Sequence, residues 1–150
     1  MGSTKRRSKK RSDASSGRRP DEPVLFLDRN LGKHVVPQAL RAVGMRVEVH
    51  DDHLPPDAPD EDWIALVGRK GWVALTKDKN IRYRSVEIQS IRNHATFVVV
   101  IRAKNATGVE IAESIVQGRS RIARMATSVA PPHVARLDRR GRLEPYPGLL

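Results

Sequence analysis

The stretch VLFLDRNLGKHVVPQALRAVGMRVEV, residues 24 to 49, decides the fold. Val24 to Leu27 is an apolar run too short for a helix and apolar at successive positions, as in a strand covered on both faces. Val35 to Val43 carries Val36, Ala39, Leu40 and Val43 at helical spacing. Pro37 falls in the first turn, where a missing N–H is tolerated, and Gly44 supplies the stop. Met45, Val47 and Val49 then alternate with Arg46, Glu48 and His50, which predicts a second strand with one wet face near a sheet edge. Strand, helix and strand in this order predict a parallel crossover.

Downstream the rhythm continues. Leu54 to Pro59 holds three prolines and must be a loop. A helix begins at Asp60, with Trp63, Leu66 and Val67 on one face and Gly71 at its end, before a third strand from Trp72 to Thr76. A more polar helix spans about Arg82 to Asn93, and Phe97 to Ile101 reads as a fourth strand. Thr107-Gly108-Val109-Glu110 has capping-box spacing and opens a long amphipathic helix through Ile111, Ile115, Ile122 and Met125. That stripe is accounted for by packing on the sheet; a homodimer through it is the alternative. Val134 to Tyr146 predicts a terminal hairpin turning at Arg139-Arg140-Gly141. The alternation as a whole predicts an α/β domain over residues 23–150.

Residues 1–22 differ in kind. The 150-residue chain has 28 Lys and Arg against 17 Asp and Glu, a formal net charge of +11. Of this, +7 lies in residues 1–19 and +4 in the remainder. So polar a segment cannot bury enough apolar surface to offset its ordering entropy, which predicts a disordered basic tail that either solubilises the chain, serves as a targeting signal or grips phosphates. The absence of cysteine excludes disulfide frameworks and thiolate zinc sites. With no apolar leader or spanning run, the expectation is a cytoplasmic protein without membrane association.

Chemistry is expected where the strands end. If the first three strands are parallel, Asp28, Asp52 and Asp78 close or follow their C-terminal ends, and Asp60 opens a helix leaving the same rim. Each acid has a plainer reading: Asp28 as strand terminator, Asp60 as helix cap, Asp52 as turn residue, Asp78 paired with a nearby Lys or Arg. Together they repel one another and call for a cation. Mg²⁺ or Mn²⁺, which take oxygen ligands and complete their shells with water and phosphate, suit them. Lys77, Lys79, Arg82 and Arg84 are then expected to face substrate phosphates. His50-Asp51-Asp52-His53 lacks tetrahedral zinc spacing. No Gly-rich phosphate loop, Ser-His-Asp set or dinucleotide fingerprint is found.

The blocks LDRNL at 27–31, DEDW at 60–63 and TKD at 76–78, within the stretch from Val24 to Ala126, resemble the PIN-like nuclease domains related to VapC-type toxins of bacterial toxin–antitoxin systems. The resemblance implies a three-layer α/β/α sandwich around a mostly parallel sheet, and a Mg²⁺-dependent endoribonuclease. It carries metal binding onto Asp28, Asp60 and Asp78, with Glu61 or Asp62 as substitutes for Asp60. It also implies an RNA substrate and a cognate antitoxin. The further acid usual near the fourth strand is absent, since Phe97 to Lys104 offers none. In the expected mechanism the three aspartates hold the ion, Asp52 orients water, and Lys79 and Arg82 position the strand. The alternatives are a nucleic-acid-binding or regulatory module of the same fold without catalysis, and a nuclease acting on DNA.

Overall fold

The computed structural model describes residues 22–146; the basic segment before Glu22 lies outside the described residues, as does the side chain of Arg82. Glu22, at the predicted boundary, is buried and receives Arg119 Nε at 2.6 Å and Arg119 Nη2 at 2.9 Å.

Six strands form one sheet: β1 (Leu25–Leu27), β2 (Val47–Val49), β3 (Val73–Thr76), β4 (Phe97–Ile101), β5 (His133–Leu137) and β6 (Leu143–Pro145). Their order across the sheet is β2-β1-β3-β4-β5-β6. The first five are mutually parallel, and β6 returns antiparallel to β5. The predicted hairpin is present, but its first strand lies parallel to β4 and extends the sheet. β2 takes the edge expected from its wet Glu48.

Among the described residues, five helices cover the two faces: α1 (Val35–Ala42), α2 (Asp60–Lys70), α3 (Ser85–His94), α4 (Gly108–Gln117) and α5 (Arg119–Ser128). Because strand side chains alternate, each central strand feeds two cores. Leu25, Leu27, Val73, Leu75 and Val99 pack with Leu40, Ile111, Ile115 and Ile122 of α1, α4 and α5. Phe26, Ala74, Val98 and Val100 face Trp63, Ile64, Val67 and Ile91 of α2 and α3. The apolar stripe of α4 and α5 is therefore spent on the sheet. Among the described residues, no helix is long and apolar enough to cross a membrane.

Two predicted elements differ in detail. The polar helix is split into a 3-10 turn, Lys79–Tyr83, and α3. The helix read as continuous from Thr107 to Met125 is interrupted at Gly118. There the hairpin turn presses against the backbone: a side chain on Gly118 would meet Leu137 Cδ1 at 2.7 Å, and one on Gly141 would meet the Gly118 nitrogen at 2.6 Å. Gly141 also needs φ +78°, which favours glycine. Ser114 Oγ donates to the Arg139 carbonyl at 2.9 Å and Arg121 Nη1 to the Gly141 carbonyl at 3.2 Å, so the turn is held by both helices.

Candidate active site

Three separate elements bring the first three acids to the C-terminal edge of the sheet. The β1 ladder continues one bond past its last residue, Asp28 N–H donating to the Leu75 carbonyl at 3.0 Å. This fixes the Asp28 backbone, and its Oδ1 accepts from Arg29 N–H at 2.7 Å, capping the 3-10 turn Arg29–Leu31. Asp78 caps the next 3-10 turn by accepting from Asn80 N–H at 3.0 Å. Asp60 opens α2, where a carboxylate is favoured by the unpaired N–H groups of the first turn. Its Oδ1 accepts the indole N–H of the buried Trp63 at 3.0 Å, so a core residue orients a site residue.

Thr76 joins two of these groups. Fully buried at the end of β3, its Oγ1 donates to Asp28 Oδ2 at 2.8 Å and accepts from Asp78 N–H and Asn30 Nδ2, both at 3.1 Å. Asn30 Oδ1 in turn accepts from Lys77 N–H at 3.2 Å.

A cleft of about 370 Å³ is lined by Asp28, Arg29, Asn30, Asp60, Asp78, Arg84 and Glu87. Asp28, Asp60 and Asp78 thus meet as the parallel reading required. Glu87, in the first turn of α3, is a fourth acid that sequence reasoning missed. It is the only acid in its polar helix and that helix leaves the same sheet edge, but its burial is not written in the local pattern. Asp52 is exposed in the 3-10 turn after β2 and does not line the cleft. Lys77 and Lys79 line a neighbouring groove instead. Arg84, expected to face substrate phosphates, here binds carboxylates: Asp78 Oδ2 at 2.5 Å, Glu87 Oε1 at 3.7 Å and Asp60 Oδ2 at 3.8 Å. The plainer reading of Asp78, pairing with a nearby cation, is thereby realised.

One guanidinium does not neutralise this set. Arg29, the other cation of the cleft, donates to the carbonyls of Pro56 and Ala58. Burial pushes the Asp28 carboxyl above the ordinary aspartate range and the Asp60 charge adds to this, while Thr76 and the Arg29 N–H pull the other way. Glu87 is pushed up by burial and by Asp60, Glu61 and Asp78, against the pull of Arg84. Its Oε1 is buried with no hydrogen-bond donor. Carboxylate oxygens without thiolate or imidazole are the donors that Mg²⁺ and Mn²⁺ prefer. Among the described residues no group of three His, Cys, Asp or Glu side chains is disposed to close around an ion. The fit is therefore to a hard cation that takes one or two protein carboxylates and fills its shell with water and phosphate.

The family model described as a PIN like domain matches residues 23–103, more than half of the chain. The chain belongs to the PIN-like domain family. The matched segment of this PIN-like domain runs from two residues before β1 to just past β4 and contains all four acids of the cleft. Over 111 residues, 71% of this chain and 80% of the relative, it is 29% identical to a Mycobacterium tuberculosis protein named "Putative ribonuclease VapC45". No solved structure matches.

Proposed function

We propose that this PIN-like protein is a metal-dependent endoribonuclease, and that it acts as the toxin of a type II toxin–antitoxin pair. The observation that carries the reading is the meeting of Asp28, Asp60, Asp78 and Glu87 in one cleft with too few cations, in a domain whose relative is named a ribonuclease. One or two of Asp28, Asp60 and Asp78 would hold Mg²⁺ or Mn²⁺ directly and the remainder through bound water, and the ion when bound polarises a phosphodiester and lowers the pKa of water. Thr76 and Asn30 keep the Asp28 and Asp78 segments in register. Glu87 Oε1, lacking a donor and raised in pKa by burial, takes the proton-accepting, water-orienting role assigned from sequence to Asp52. Arg84 stands in for the ion and must release at least one carboxylate when a cation and a phosphate enter. The Arg84 guanidinium between Asp78 and Asp60 supports a reading in which a basic side chain of an antitoxin blocks the cleft in the same way.

Cleavage of a labelled oligoribonucleotide by the wild-type protein, with Mn²⁺ or with EDTA, tests this against Asp28→Asn, Asp78→Asn and the double variant. Each single change should lower the rate by about 100-fold or more, and the double variant should leave no cleavage while the unfolding midpoint stays within a few degrees. An active double variant, or cleavage that survives EDTA, refutes the reading. A second reading, a binding or regulatory module without catalysis, is favoured by Arg84 already occupying the acids. It requires salt-sensitive RNA binding with no turnover at any divalent concentration.

A further inference from the structure

Beside the acidic cleft lies a larger groove of about 810 Å³. The two share the segment after β3: Lys77 and Lys79 line the groove, and Asp78 between them lines the cleft. Arg102 and Lys104 follow β4 along its floor, and the hairpin turn supplies four arginines between positions 136 and 142. Among the described residues of the lining, eight cations thus face a single carboxylate, Asp138.

Little of that charge is spent internally. Asp138 holds Arg142 at 2.6 Å and Glu144 holds Arg136 at 3.3 Å. Among the described residues Lys77, Lys79, Arg102, Lys104 and Arg140 make no ion pair. Crowded like charges destabilise a fold unless a polyanion supplies the counter-charge. Tyr146, the aromatic residue of the lining, is covered by the Arg136 guanidinium at 5.6 Å from its ring centre, which leaves phosphates rather than bases as the groups to be recognised. Five of the eight cations lie beyond residue 103, where the family match ends, so the family model itself says nothing of most of the groove.

We infer that the groove is a track for the phosphate backbone of the RNA substrate, seating phosphates on Lys79, Arg102 and Arg140 while the strand crosses the cleft at Asp78. This rests on the nuclease reading for its choice of ligand. The track is indifferent to base sequence and sensitive to salt.

The test uses the full chain in EDTA, with anisotropy of a short fluorescein-labelled oligouridylate measured over a range of salt. Arg102→Glu with Arg140→Glu should weaken binding by about tenfold or more and flatten the log–log salt slope by about 1.4, two contacts at roughly 0.7 each. The milder pair Lys79→Ala with Lys104→Ala should flatten the slope in the same direction, which guards against misfolding of the charge-reversed protein. Arg92→Glu with Arg124→Glu makes the same charge change on exposed helical positions outside the groove and should leave the slope unchanged. Equal losses from the groove and control pairs overturn the inference, because attraction would then follow net charge alone; so does a slope unmoved by either groove pair, which leaves the groove to an acidic protein partner. Wild-type hydrolysis of bis(p-nitrophenyl) phosphate with Mn²⁺ reports on the cleft separately. If it fails while the groove pairs still flatten the slope, the track stands and the nuclease reading falls.

Discussion

Thr76→Val removes one oxygen and nearly no volume, so its effect isolates the hydroxyl that links two of the acids. The lost donation to Asp28 Oδ2 leaves a buried carboxylate short of a donor, a cost of about 1.5 to 3 kcal/mol for a bond to a charged group. Of the two accepted bonds, that from Asn30 adds little, because Asn30 is exposed and can turn to water, and that from the part-buried Asp78 N–H adds at most about 1 kcal/mol. A loss of about 2 to 3 kcal/mol should lower the unfolding midpoint by roughly 6 to 15 °C in a domain of this size. The Thr76 bond lowers the Asp28 pKa, so removing it raises that pKa further. A folded-state pKa above the unfolded value means stability that is present at low pH and lost as pH rises through the folded pKa. The deficit of Thr76→Val should therefore be largest at neutral pH and shrink as pH falls towards the ordinary aspartate value. The acid limb of the cleavage profile should move to higher pH. Urea unfolding at several pH values, with pH–rate profiles of wild type, Thr76→Val and Thr76→Ser, reads both effects. Ser keeps the hydroxyl and should restore the acid limb. A Val variant as stable as wild type, with an unmoved limb, would refute the argument that this hydroxyl holds Asp28.

Glu87→Gln removes a buried carboxylate whose pKa is raised, so thermal scans should show a variant at least as stable as wild type at neutral pH, the gain vanishing below the unfolded glutamate pKa, while cleavage falls by about 10-fold or more. Arg84→Gln breaks pairs made by a side chain 44% exposed, so it should cost no more than about 1 kcal/mol without metal, yet calorimetry should find tighter Mn²⁺ binding because the ion no longer competes with a guanidinium. Gly141→Ala should cost about 2 to 4 kcal/mol by denaturant unfolding, combining a left-handed backbone with contact against Gly118. Gly71→Ala, at φ +71° with nothing within 4 Å, should cost only about 1 to 2 kcal/mol, and equal losses at the two positions would dismiss the contact.

The parts legible in sequence were those whose reason is local. Apolar runs, helical spacing and the Gly71 stop gave β1, α1, α2, β3 and β4, and parallel order then brought Asp28, Asp60 and Asp78 to one edge. What escaped depends on distant atoms. The helix break at Gly118 sits where Leu137 and Gly141 pack against the backbone, and a lone glycine in a periodic segment does not announce that contact. The placing of β5 beside β4 is a tertiary choice that hairpin signals cannot convey. Glu87 looks like an ordinary first-turn acid until α3 is laid over the cleft, and Arg84 looks like one cation among several until its carboxylates surround it.

The paired glycines at 118 and 141 carry an implication for transplantation. A turn that owes its shape to a notch in a neighbouring helix is not a portable module. Moving the arginine-bearing hairpin to another scaffold should fail unless the notch travels with it, and a bulky residue at either position should need a compensating change at the other. In a directed-evolution library of this protein, tolerated changes at the two positions should therefore occur together.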